Sequence, residues 1–168
     1  MNQELERFAV GTGYRWEAMI FLAMWEEVES RHGREEARAM CGKAARNAGV
    51  RFGRVLARIH GRNDLAALKE VWEAIYPPGD RVNEWTGERF VVRGNQCIIK
   101  DTYESLTETE LPEDIREELY AVFCEGDRGL VEGFNSEIRF TWGGRVMLGD
   151  PQCVWIMESP RQKPSLHD

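Results

Sequence analysis

Cys124 and Asp127 stand three residues apart in Phe123-Cys124-Glu125-Gly126-Asp127, and a further thiol follows in Gly149-Asp150-Pro151-Gln152-Cys153-Val154-Trp155. Residues three apart are neighbours on a helix, so this thiol and carboxylate share one face. A thiol in that position can act as a nucleophile, and a carboxylate as a general base or as the partner of a positive nitrogen. The plainer alternative is that Cys124 packs and Asp127 pairs locally, with Arg128 or Arg145 as partner. No histidine stands near Cys124 in sequence to lower its pKa from about 8.5. Glu132 and Asn135 close the same segment as pocket residues, or as a surface acid and a helix-ending residue. Cys153 and Trp155 point to one side of a strand, toward a pocket or into a solid core. Tyr103 and Tyr120 belong to an aromatic set that can line an apolar cavity or fill it. His32 and His60 fall at helix ends, where a cationic imidazole suits the dipole.

The chain of 168 residues suits one domain, and its tryptophans and 42% hydrophobic content support a sizeable core. The expected boundaries are a domain over residues 1–158 and a polar, proline-containing tail over 159–168. The net charge is −7 and the basic residues are scattered. A nucleic-acid partner is therefore not expected. No apolar run approaches the roughly 20 residues that span a bilayer. The start Asn2-Gln3-Glu4 lacks a basic segment followed by an apolar one, so the expected location is cytoplasmic. The cysteines at 41, 97, 124 and 153 form no CxxC pair, which argues against a zinc ribbon and for free thiols. No glycine-rich phosphate loop is present, and no cofactor is expected.

Spacing predicts the elements that must position these groups. A first helix runs to His32-Gly33. A second spans about 34–60 with the stripe Ala37, Cys41, Ala44, Ala45, Ala48, Phe52, Val55, Leu56 and Ile59, its alanines admitting another helix closely. Gly61 stops it. Asn63 or Asp64 caps a third helix carrying Leu65, Leu68, Val71, Trp72 and Ile75. Phe90–Arg93 and Gln96–Lys100 flank Gly94-Asn95 and read as a hairpin. Pro112 opens a long helix to about Phe134. One of its stripes holds Ile115, Leu119, Val122, Phe123, Gly126 and Leu130. The other holds Tyr120, Cys124, Asp127 and Val131. Glu137–Trp142 begins a second hairpin, with Gly143-Gly144 as turn or bulge and Arg145–Leu148 continuing the strand. Cys153–Met157 is the last strand. The fold class is α+β: N-terminal helices, then two β-hairpins around a long helix, giving a largely antiparallel sheet. The apolar strip Ile20, Phe21, Met24 and Trp25 on the first helix predicts a homo-oligomer.

The series Phe123-Cys124-x-x-Asp127, Gly133-Phe134-Asn135 and Gly149-Asp150-x-x-Cys153-x-Trp155 resembles the L-2-amino-thiazoline-4-carboxylic acid hydrolase family over about residues 15–158. The ending is also similar, more distantly, to four-vinyl-reductase-type small-molecule-binding domains. Thr102-Tyr103-Glu104 stands where typical members have Cys-Pro. The resemblance implies a hydrolase acting on a carbon–nitrogen bond of a cyclic amidine, with Cys124 and Asp127 catalytic and Tyr103, Tyr120, Glu132, Asn135 and Cys153 binding substrate. Such ring opening needs a nucleophile or water at the ring carbon, a base, and a partner for the positive nitrogen. The alternative it implies is a non-catalytic binding or sensory domain of the four-vinyl-reductase kind. Two zinc positions of such sensors would fall on Trp142 and Arg145, which do not ligate, so no metal is expected.

Overall fold

The computed structural model describes residues 12–76, 81–97, 99–101 and 113–159. The chain begins with a helical hairpin, α1 (Thr12–His32) and α2 (Arg34–His60), joined at Gly33. Gly33 has φ 84°, and Gly61, at φ 80°, closes α2 in the left-handed conformation. Both are backbone states that a side chain disfavours. α3 (Leu65–Ile75) is capped by Asp64, whose carboxylate accepts the Ala67 amide at 2.9 Å. β1 (Arg81–Trp85) and β2 (Arg89–Gly94) follow, then α4 (Glu113–Phe123), α5 (Glu125–Phe134), β3 (Arg139–Gly144) and β4 (Cys153–Glu158). The fold is α+β, with the helices first and a four-stranded antiparallel sheet of order β1-β2-β4-β3. No described helix is long and apolar enough to cross a membrane.

Four expectations are corrected. The first hairpin lies one strand upstream: β2 pairs with β1 through Trp85↔Phe90, and residues 99–101 are helical. Gly87, at φ 87°, makes the turn, which outweighs the Gly94-Asn95 signal. Arg145–Leu148 does not extend β3. Val146–Leu148 forms a single 3-10 turn, and Asp150 accepts the Arg145 amide at 2.7 Å, drawing the chain back toward β4. The expected bulge is present, because the β3–β4 register shifts between Trp142 and Gly144.

The long helix is interrupted at Cys124. The Asp127 amide bonds to the Cys124 carbonyl at 3.3 Å, a tightened turn that separates α4 from α5.

The fourth correction concerns α2. Its core-facing line after Cys41 is Gly49 and Gly53, whereas Ala44, Ala48, Phe52, Val55 and Ile59 are exposed. α5 lies against α2 with backbones in contact. A Cβ at Gly49 would overlap the Gly126 carbonyl, and one at Gly53 the Leu130 carbonyl. On the facing helix, a Cβ at Gly129 or Gly133 would overlap the backbone of Arg46 or Val50. The close approach comes from glycines, which an apolar-stripe reading passes over.

Two apolar clusters result. One joins α3, α5 and the sheet through Trp72, Phe90, Leu130, Phe134, Trp155 and Met157. The other joins α1, α2 and α4 through Trp25, Cys41, Leu119, Tyr120 and Cys124, with Met147.

Candidate functional site

Asp127 sits in the first turn of α5, between the two clusters. Protein crowds it closely, although part of its side chain still meets solvent. Its Oδ2 accepts a hydrogen bond from Trp155 Nε1 of β4 at 3.0 Å. Its Oδ1 accepts none among the described residues. Burial pushes the carboxyl up to about 6. The Trp155 bond and the Arg81 charge oppose that rise without cancelling it. A carboxylate poised near neutrality can both take and return a proton.

Trp155 holds this arrangement in place. Its ring packs at 6.2 Å from Trp72 and 5.6 Å from Trp142. The Arg81 guanidinium of β1 lies 5.8 Å from the Trp155 ring and 4.8 Å from Tyr76. The strand register explains this meeting. Arg81 pairs with Gly94, and Gly94 pairs with Cys153, so the three form a row across the sheet. A Cβ at Gly94 would already stand 3.3 Å from the Arg81 side chain and 3.6 Å from Trp155. The glycine leaves the space that lets the arginine lean over the indole. Arg81 makes no ion pair among the described residues. Trp142 Nε1 is buried and has no hydrogen-bond partner among the described residues.

Three thiols share the electrostatic neighbourhood of the carboxylate. Cys97, Cys124 and Cys153 lie within electrostatic reach of Asp127 and of one another. Burial raises all three. Cys153 is pushed up to about 11, and the Cys124 thiol is raised by burial first and by the Asp127 charge second. The Cys124 sulfur rests 3.6 Å from the Met147 sulfur, and Cys153 accepts the Val146 amide at 3.3 Å. Thiols held protonated in this way are poor nucleophiles. Among the described residues no group of three or more His, Cys, Asp or Glu is disposed to hold a metal ion.

The sequence profile of the L-2-amino-thiazoline-4-carboxylic acid hydrolase family matches residues 13–156. The chain belongs to that family. The match spans Asp127, its three thiols, Arg81 and both site tryptophans, and family membership supports the coarse reading as a hydrolase. No curated protein matches the chain in sequence. Among solved structures, the chain is similar to trafficking protein particle complex subunit 3 from Naegleria fowleri, a structure covalently bound to palmitic acid. The identity is 15%, the TM-score 0.52, and the alignment covers 88% of this chain and 95% of that one. It is also similar to the phenol-responsive sensory domain of the transcription activator PoxR with phenol. There the identity is 14% and the TM-score 0.49, with 88% of this chain and 76% of that one covered. At 15% identity the first likeness is one of fold.

The residues singled out in this hydrolase-family chain separate in space. Cys124 and Cys153 lie within electrostatic reach of Asp127 but in separate apolar clusters, and Tyr120 is buried in the cluster of Cys124. Glu132 turns the other way and pairs with Arg46 of α2 at 2.8 Å. Asn135 ends α5, donates to the Asn63 carbonyl at 2.9 Å and accepts the Glu137 amide, so it ties two loops together. Tyr103 lies outside the described residues. His60, at the end of α2, hydrogen-bonds to Glu70 at 2.9 Å.

Arg81 went unrecognised in the sequence. Strand alternation alone gives no reason to prefer one arginine over another. The available signal was a cation two strands away from Cys153, and it needed the sheet order to be read.

Proposed function

We propose that this chain hydrolyses a carbon–nitrogen bond of a small cyclic amidine carrying a carboxylate, of the aminothiazoline carboxylate type. The observation that carries this reading is Asp127: a carboxylate crowded by protein, with one oxygen tied to Trp155 and the other unbonded among the described residues. Asp127 takes a proton from water as the water oxygen bonds to the amidine carbon. The ring carbon–nitrogen bond then breaks, the added hydroxyl becomes a carbonyl, and its proton and the one held by Asp127 both pass to the ring nitrogen, which leaves as an ammonium. Before attack, the same carboxylate pairs with the positive amidine. Arg81, cationic and free of a carboxylate partner among the described residues, anchors the substrate carboxylate. Water is the nucleophile rather than Cys124, because burial keeps that thiol protonated.

Turnover of 2-aminothiazoline-4-carboxylate, followed by mass spectrometry of the ring-opened product, tests this proposal together with two variants. Cys124→Ser is expected to keep kcat within about threefold, as befits a side chain that only packs. A folded Cys124→Ser protein without turnover would return the nucleophile role to the thiol. Arg81→Gln is expected to raise KM by about 10- to 100-fold, the size of a lost charge-assisted hydrogen bond. Its kcat should change little, and a KM equal to that of the wild type would remove Arg81 from the site.

The second reading is a non-catalytic binding domain. It draws on the mutually packed rings of Trp72, Trp142 and Trp155, of which Trp155 bonds to Asp127, an aromatic surrounding that suits an apolar ligand. A tightly retained small molecule with no ring opening in any variant would select it.

A further inference from the structure

The helical hairpin exposes more apolar surface than the rest of the described chain. Of the eleven large hydrophobic residues exposed among the described residues, eight lie on α1 and α2. On α1 they are Trp16, Met19, Ile20 and Met24, at helical spacing along one face, with Trp16 65% exposed. Ile20 and Met24 belong to the strip expected from sequence. The other two residues of that expected strip are not exposed on it: Trp25 is fully buried, and Phe21 turns inward to stack edge-on against Phe123 at 5.7 Å.

On α2 the exposed face continues a buried one. Ala37 and Cys41 are covered in the cluster that includes Ala18 and Trp25 of α1. The same face then runs on through Ala44, Ala48, Phe52, Val55 and Ile59 in three- and four-residue steps, uncovered, with Ile59 78% exposed. α2 has 27 residues, and the exposed line occupies its half beyond Cys41. Contiguous apolar surface of this kind marks an interaction site.

Charge identifies the occupant. The α1 strip is edged by Glu17 and Glu26, and the α2 strip by Arg51, Arg54 and Arg58. All five are exposed, and none makes an ion pair among the described residues. An acid-edged apolar strip and an arginine-edged apolar strip are complementary, and one chain carries both. We propose that the hairpin face is the interface with a second copy of this chain. The α1 strip of each protomer meets the α2 strip of its partner, so that the contact occurs twice about a two-fold axis. Unpaired acids and arginines set the register while the apolar strips supply the attraction. The inference is independent of the hydrolase reading, since it uses none of the residues around Asp127.

Size-exclusion chromatography with light scattering of the full chain tests it. The wild-type protein is expected at the mass of two chains. Ile20→Glu and Ile59→Glu, at exposed positions that leave the fold intact by circular dichroism, are expected to run as single chains. Arg54→Glu with Arg58→Glu is expected to weaken association at least tenfold. Adding Glu17→Arg and Glu26→Arg to that variant is expected to restore it. A wild-type protein at single-chain mass overturns the proposal. So does a dimer indifferent to both isoleucine substitutions, or a charge exchange that fails to restore pairing.

Discussion

Asp127→Asn is expected to lower kcat by about 10²- to 10⁴-fold, the usual contribution of a general base, and to leave a more stable protein. The substitution keeps an oxygen that can accept from Trp155 Nε1 and removes the charge that burial penalises. The carboxyl is held at about 6 in the folded chain, against about 3.9 in an unfolded one. The folded state therefore binds the proton over a range of pH in which the unfolded state has lost it. Stability from this group is greatest below about pH 4, falls as pH rises through 6, and stays low above that. A displacement of this size corresponds to roughly 3 kcal/mol at most, and solvent contact at Asp127 reduces it. About 1–2 kcal/mol of stabilisation is expected in Asp127→Asn at pH 8, vanishing near pH 4. Urea midpoints of both proteins across that range would show the difference. Carboxylates such as Asp64, held low first by its backbone bond to Ala67, change stability in the opposite direction at acid pH and cancel in the comparison. Parallel curves for the two proteins would mean that Asp127 carries no buried charge.

Gly129→Ala is expected to destabilise the fold by about 3 kcal/mol or more, a large part of the 5–15 kcal/mol that holds a domain together. The added methyl would overlap the Arg46 carbonyl group and Cα, which are backbone atoms with no rotamer to yield. α2 and α5 would have to part along the glycine contact, taking the first turn of α5 and Asp127 with them. Gly126→Ala, three residues earlier on the same helix, is expected to have the opposite sign. The nearest atom to its methyl would be the Ala45 carbonyl oxygen at 3.8 Å, an ordinary contact. Replacing a helical glycine there is expected to stabilise by roughly 0.5–1 kcal/mol. Thermal melts of the pair give the answer directly, and equal effects from both substitutions would exclude the close packing of the two helices.

These two residues mark how far the sequence could be read. The 3–4 spacing of apolar residues, together with Gly33, Gly61 and Asp64, placed α2 and α3 where they are found, because caps and amphipathic periods are local signals. The last strand, the bulge after Trp142 and the α+β class were legible for the same reason, whereas the continuous helix expected to carry Cys124 and Asp127 on one face is broken at Cys124. The first hairpin was placed one strand too late, since two turn signals lay close together and only pairing energy chooses between them.

The candidate site was half legible. Asp127, Cys124 and Cys153 were visible as motif residues. Their protonation was not, because it depends on how much water the neighbouring elements exclude. The sequence by itself determined α2 and α3, the residues that end and cap them, and the family motif. Only the tertiary structure decided that Arg81 reaches the Trp155 ring across Gly94, that Glu132 turns away to α2, and that glycines rather than alanines join α2 to α5. Each of those facts depends on atoms far apart in the chain, and local periodicity carries no record of distances between them.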